Sequence, residues 1–363
     1  MISPSKLPVL YAVLAAVLFG SCAPAAKYLL AGLGPVMLAG LLYLGSGAGL
    51  ALYLGVCRLR RQDRNHMEAP LARGDLPWLA GVVLFGGILA PVVLLISLDV
   101  THAATAALLL NFEAVATTIL AAAFFREYVG RNVWVALALI TASCAVLSYS
   151  PSDAWGLSLG ALGILLACTF WSLDNNISRN ISAKDPIPIV AIKGLAAGAV
   201  IIVAAVAMGD VLPGPRSALT VMVVGFFSYG GITSVLFLMA LRGIGTARTG
   251  SILAVSPFFG VTISFALFSE PLASTFWIAL PIMVAGAYLL ITEKHSHLHE
   301  HPPLDHAHRH RHDDGHHLHG HTGTEPPLNA GGEHSHRHLH EEMAHEHPHQ
   351  PDLHHRHAHG KAK

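Results

Sequence analysis

Charge is what this chain has least of. Only 12% of its 363 residues are Asp, Glu, Lys or Arg, about half the roughly 25% of an ordinary soluble domain, and the mean hydropathy is +0.53. A soluble globular protein is thereby excluded. Cysteine is almost as scarce: Cys22, Cys57, Cys144 and Cys168 lie singly in or beside apolar runs, with no Cys-x-x-Cys pair, which argues against a disulfide framework or a zinc knuckle. They read as small packing residues. No motif for a nucleophile, a nucleotide or a catalytic metal interrupts the apolar runs, so an enzyme is not expected, no cofactor is required, and nucleic acid is not among the expected partners.

What the chain has instead is long apolar runs. Crossing a hydrocarbon core of about 30 Å takes about 20 helical residues, and runs of that length fall near 8–31, 36–57, 77–97, 103–124, 132–149, 157–179, 187–208, 219–241, 247–268 and 273–292. The expectation is an all-α integral membrane protein of ten transmembrane helices. Barrel strands would alternate apolar and polar residues, and none of these runs does. The first run carries Phe19-Gly-Ser-Cys22, a faint lipoprotein box, but it continues to Leu30, past the 7–15-residue core of a cleaved signal. It is expected to be retained.

Lys and Arg collect in one set of loops. Arg58, Arg60, Arg61, Arg64 and Arg73 follow the second run; Arg126 and Arg131, then Arg179 and Lys184, then Arg242 lie in the later even-to-odd connections, whereas the opposite loops carry only Arg216. By the positive-inside bias both termini should be cytoplasmic, in a cell membrane of bacterial inner-membrane type.

The apolar body repeats itself. Placing Phe19 on Trp171 brings Lys27 onto Arg179, and Ala104 through Phe125-Arg-Glu127 overlays Ala247 through Phe268-Ser-Glu270 at a constant offset of 143. Five spans per half is an odd number, so the second half enters the membrane inverted, the plan of alternating-access carriers with a site between halves near mid-membrane. The expected organisation is 1–150 and 151–293 as two inverted five-helix repeats, followed by a histidine-rich tail over 294–363.

This five-plus-five plan, the aromatic in the first helix of each half, the small-residue helices ending in Glu127 and Glu270, and Ser256-Pro257 resemble the EamA family of the drug/metabolite transporter superfamily, over about 8–292. The resemblance implies a secondary carrier of small metabolites. Two departures stand out. Glu113-Ala114 occupies the place where the family commonly has Glu-Pro, removing a proline kink, and Leu44 stands where the other half has Lys193.

Polar groups inside the spans are the candidate pathway. A charged residue at hydrocarbon depth costs about 2.5–3.5 kcal/mol on insertion scales and usually faces a bundle interior or a wet path. Asp174, Asn175 and Asn176 follow Trp171 in the sixth run; at about 100° per residue they fan around the helix and cannot all face one pore. If Asp174 faces the cavity, Trp171 and Ser178 lie beside it, and Asn176 bonds a neighbouring helix; the plainer reading is an interhelical clamp. Lys193 sits where it can meet Asp174 across a short connection, or else snorkel to the interface. Glu113, mid-span, either couples proton flow to transport or bonds Asn111 or a helix backbone. Glu127 and Glu270 read as helix-end caps. Gly45-Ser-Gly-Ala-Gly49 and Gly194-Leu-Ala-Ala-Gly198 read as close-packing faces. Trp78, Trp134, Trp155 and Trp277 fit interfacial anchors, which leaves Trp171 as a cavity wall.

The tail holds all but His66 and His102 of the 25 histidines. With few apolar residues it is expected to be disordered, and its His-x-His runs, chiefly His306, His308, His310, His312, His334, His336, His338 and His340, are candidate ligands for divalent metal ions. Three functions stay open: a small-solute carrier, possible proton coupling included; a nickel, cobalt, zinc or copper carrier whose tail binds metal; and a non-transporting metal or pH sensor. The lipid bilayer and a small molecule or ion are the expected partners, and the oligomeric state is unknown.

Overall fold

The computed structural model describes residues 7–59, 70–125, 129–150, 157–181, 184–237, 239–240, 252–253, 255–268, 272–292, 296–301, 304–311, 333–340 and 343–348. Arg60, Arg61, Arg64, Arg126, Glu127, Trp155, Arg242, Glu270 and His312 lie outside the described residues. Through Thr292 the described residues of every expected span are mainly helical, with breaks inside several of them, and no strand segment interrupts the described spans. Among the described residues seven helices are long and apolar enough to cross a membrane by length and composition. The helix carrying Asp174, Asn175 and Asn176 is not among them, although its 20 residues suffice for a crossing. Its polar triplet is what sets it apart.

The first span bends rather than running straight. Helix α1 (Leu7–Gly20) passes into α2 (Cys22–Leu30) at Ser21, because Pro24 has no N–H to return to the preceding turn and the Ser21 hydroxyl caps the Leu18 carbonyl at 2.7 Å. The second span, α3 (Pro35–Leu59), is unbroken. The third comprises α4 (Leu76–Val82), a π-turn over Val83–Leu89, and α5 (Ala90–Asp99). In that turn the Ala90 N–H reaches back to the Phe85 carbonyl, and Pro91 offers no donor. The Gly86 carbonyl is thereby left without a helical partner.

The fourth span is α6 (Ala103–Leu109) and α7 (Phe112–Phe125). The missing proline at Ala114 suggested an unbroken helix, yet the helix breaks at Leu110–Asn111. The Asn111 side-chain amide donates to the Leu108 carbonyl at 3.2 Å, the kind of local side-chain bond that competes with helical backbone pairing. The remaining spans are α8 (Arg131–Ser148), α9 (Leu159–Ser178), α10 (Pro186–Ala207), α11 (Pro215–Ser228) with a helical continuation over 232–237, α12 (Ser256–Leu267) and α13 (Ser274–Thr292). Proline at the first helical position, where its missing N–H costs nothing, opens α3, α10 and α11.

Helix pairings follow the repeat. Second packs on second, as α3 crosses α10, and fifth on fifth, as α8 crosses α13; α9 lies against α5 and α7, as α1 lies against α11 and α12. Burying apolar surface does not drive helices together in lipid, so close approach must. A methyl group on Gly47 would strike the backbone at Gly194 and Leu195, and one on Gly198 would strike Leu44. The two glycine-rich faces are therefore each other's partners, with Gly45 and Gly49 serving α11 through Met222 and Phe226. On the fifth-helix pair the Ser143 hydroxyl donates to the Ala279 carbonyl at 2.8 Å.

Contacts between loops agree with one consistent sidedness. Lys184, after the sixth span, pairs with Asp75, before the third, at 3.6 Å. At the other end Lys27 donates to the Leu98 and Asp99 carbonyls at 2.8 and 2.7 Å, where a cation suits the exposed carbonyls of a helix C-terminus. Asp210 stands beside Gly34.

Beyond the helices, four tail segments have extended backbone: β1 (Ser296–His301), β2 (Leu304–Arg311), β3 (Glu333–His340) and β4 (Met343–Pro348). β1 pairs with β4 and β2 with β3, both antiparallel. The tail was expected to be disordered for want of a core. A two-stranded ribbon is marginal on its own in water; the backbone of these segments is paired, and His-x-His alternation has the period of a strand.

Candidate substrate pathway

Helix α9 carries two polar clusters on different sides, as the helical angle between successive residues requires. The first is charged. Asp174 is buried, and its Oδ2 accepts from Lys193 Nζ on α10 at 2.5 Å, while Ser178 Oγ donates to Oδ1 at 3.2 Å. The pair meets as one of the two sequence readings required, and Lys193 does not snorkel: its side chain is 18% exposed.

The π-turn of the third span closes over this pair. The orphaned Gly86 carbonyl accepts from Tyr43 Oη at 2.8 Å and from Trp171 Nε1 at 3.2 Å. Gly86 has to be glycine, since a methyl there would land on the Asp174 carboxylate and crowd Lys193 Nζ. A buried carbonyl without a partner costs about as much as a lost hydrogen bond, and here two aromatic side chains supply the donors. Tyr43 and Gly86 were not singled out from sequence. A Gly-Gly pair four to five residues before Pro91 was the available signal.

The second cluster is neutral apart from Glu113, which is half-buried at the start of α7. Asn175 Nδ2 donates to Glu113 Oε1 at 2.8 Å and approaches Thr117 Oγ1 at 3.4 Å, and Ser172 Oγ donates to the Glu113 carbonyl at 3.2 Å. Asn175 is exposed. Asn176 does bond a neighbouring helix, donating to the Thr117 carbonyl at 3.3 Å as well as to Ser172 of its own turn at 2.8 Å. Its Oδ1 is a buried oxygen without a partner. Asn111 is buried but joins neither cluster; it bonds within its own turn rather than to Glu113.

Where the halves meet, α1, the break in α6–α7 and the start of α12 leave a gap lined by Phe19, Gly20, Ala107, Leu110, Ser256 and Pro257. Trp171 is half-buried at the first cluster, whereas Trp78, Trp134 and Trp277 are exposed near span starts, as anchors are. Among the described side chains of the spans no group of His, Cys, Asp or Glu is placed to hold a metal ion.

Long apolar helices, several of them broken, with polar side chains gathered between them, define a multi-pass membrane protein. The EamA-like transporter family profile matches twice, over residues 6–149 and 158–292, and the chain belongs to that family. It is 27% identical over 288 residues to an uncharacterized transporter of Methanothermobacter thermautotrophicus, covering 76% of this chain and 83% of the relative. It is also 26% identical over 164 residues to the uncharacterized inner membrane transporter YedA of Escherichia coli K12; this match spans 45% of the chain and 53% of that relative. A solved protein crystal structure superposes with a TM-score of 0.55 at 18% identity, over 78% of this chain and 95% of the other. That likeness speaks for the fold alone.

Proposed function

We propose that the protein is a secondary carrier that moves a small polar solute by alternating access between its inverted halves, with the Asp174–Lys193 pair in the solute's path and Glu113 carrying a coupled proton. The observation that carries this reading is the ion pair itself, held at 2.5 Å against a π-turn. Removing one partner of such a pair typically costs about 3–5 kcal/mol, whereas apolar replacement of both is often neutral or stabilising. A merely structural clamp gains little from charge. A pair whose partners a polar solute can take over in turn supplies both binding and a trigger for closure.

π-turns mark functional sites often enough to support the same assignment, since this one exposes the carbonyl that holds Tyr43 and Trp171 over the pair. Glu113, bonded to an exposed asparagine, has the access a proton carrier needs. The basic loops favour cytoplasmic termini in an inner membrane of bacterial type. A divalent-metal carrier finds no ligand group among the described side chains of the spans, and a non-transporting sensor would not need paired inverted halves.

The test is reconstitution into liposomes loaded with an isotope-labelled extract of cell metabolites, with released solutes identified by mass spectrometry. The natural chain should release a defined subset, Asp174→Asn none of it. Release no greater than from protein-free liposomes would overturn the reading.

A further inference from the structure

The tail ladders set histidine opposite histidine. In the β2–β3 register His306 pairs with His338, His308 with His336 and His310 with His334, while Leu304 pairs with His340. In β1–β4, His297 pairs with His347 and His299 with His345, and His301 pairs with Met343. Alternate residues of a strand share a face, and so do directly opposed residues of an antiparallel pair. One face of each ladder is therefore made of histidine positions apart from a single Leu304 or Met343. The intervening β2–β3 positions, such as Ala307 with Arg337 and Arg311 with Glu333, form the other face. A one-residue slip would scatter the arrangement, because it exchanges the faces of a strand.

We propose that the tail is a divalent transition-metal site built on these two histidine faces, and that bound cation holds the ladders together. Opposed Cβ atoms stand about 4.5–5.5 Å apart, and successive rungs on one face lie about 7 Å apart, two residues at roughly 3.3–3.4 Å each. Two adjacent rungs thus gather four imidazole-bearing positions, the ligand number of a tetrahedral zinc site. The donor set selects the class of ion. Imidazole suits zinc, copper and nickel, whereas magnesium and calcium take oxygen ligands, which these faces lack.

Stability points the same way. Two-stranded ribbons without further support are marginal in water, and the β2–β3 pair must also close a long connection, 312–332. Metal binding supplies what burial does not, since the free energy of binding to a site absent from the unfolded chain becomes folding free energy. The tail's sequence, too polar for a core, is compatible with order only on such terms. This assignment does not rest on transport.

Zinc titration of the full-length protein in detergent tests it, with spin labels on Ala307→Cys and Arg337→Cys in a background freed of the native cysteines. Zinc should shorten and narrow the label separation to that of opposed strand positions, and magnesium should leave it broad. The triple variant His334→Ala, His336→Ala, His338→Ala should weaken zinc binding about tenfold or more, the scale on which even outer-shell losses act at metal sites, and abolish the narrowing. The equally depleted variant His354→Ala, His355→Ala, His357→Ala, outside the ladders, should bind and narrow as the natural chain does. Equal losses in the two triple variants, or zinc binding with no change in label separation, would overturn the proposal.

Discussion

The two halves build the same joint and fill it with different chemistry. The offset that places Phe19 on Trp171 carries Cys22 onto Asp174, and Phe85-Gly-Gly-Ile88 of the first half matches Tyr229-Gly-Gly-Ile232 of the second. In the second half's joint Asp174 meets Lys193 beneath a π-turn. In the first half's joint Cys22 Sγ donates to the Ser228 carbonyl at 3.1 Å, the Ser21 and Ser228 hydroxyls stand 3.3 Å apart, and Tyr229 Oη reaches the Cys22 carbonyl at 3.4 Å, where α11 is interrupted. Leu44 stands in for Lys193. A helix break beside the first helix of a half is thus common to both, and charge belongs to one. Neutral interhelical bonds average about 0.6 kcal/mol in membranes and suffice to hold a joint. On the function proposed above, charge in the other joint serves the solute rather than cohesion.

Single substitutions in the charged joint should have the largest effect. Asp174→Asn or Lys193→Met leaves one buried group unpaired, and the expected loss is about 3–5 kcal/mol in detergent stability together with transport. The double variant Asp174→Cys, Lys193→Leu copies the neutral joint; thermal unfolding should recover while transport stays absent. If the double variant transports, the comparison between halves has been misread.

Gly86→Ala comes next. Its methyl has no room beside the Asp174 carboxylate, and overpacking of this kind costs about 1–3 kcal/mol, measurable as a lowered Tm alongside reduced transport. Glu113→Gln should be milder for the fold, since Asn175 keeps an acceptor, but solute movement driven by a pH gradient should stop while exchange without a gradient persists. Smallest of all, Ser21→Ala in the neutral joint should cost under about 1 kcal/mol and leave transport intact.

How far these features could be read beforehand differs by the kind of interaction. The spans, the repeat and the meeting of Asp174 with Lys193 and Ser178 follow from apolar length and helical spacing, which are local quantities. Asn176 was legible for the same reason: three adjacent polar residues cannot face one way. Tyr43 and Gly86 were not, because their roles arise from a π-turn that frees one carbonyl, and no periodicity records a change of hydrogen-bond ladder. For Glu113, Asn111 or a helix backbone stood as the partner on the reading without proton coupling, yet Asn175 of another helix donates to it. Asn111 instead breaks its own helix where a proline was missing. In the tail, composition speaks against a core, while the alternation of histidines has the strand period.

The central claim is that polar residues at membrane depth line a wet crevice rather than lipid, and Asn175 tests it most directly, being exposed beside Glu113. The four native cysteines are buried, so Asn175→Cys can be labelled against a quiet background in intact vesicles. The account predicts reaction with a membrane-impermeant thiosulfonate. Labelling by a lipid-soluble maleimide alone, with the impermeant reagent inert from both sides, would contradict it.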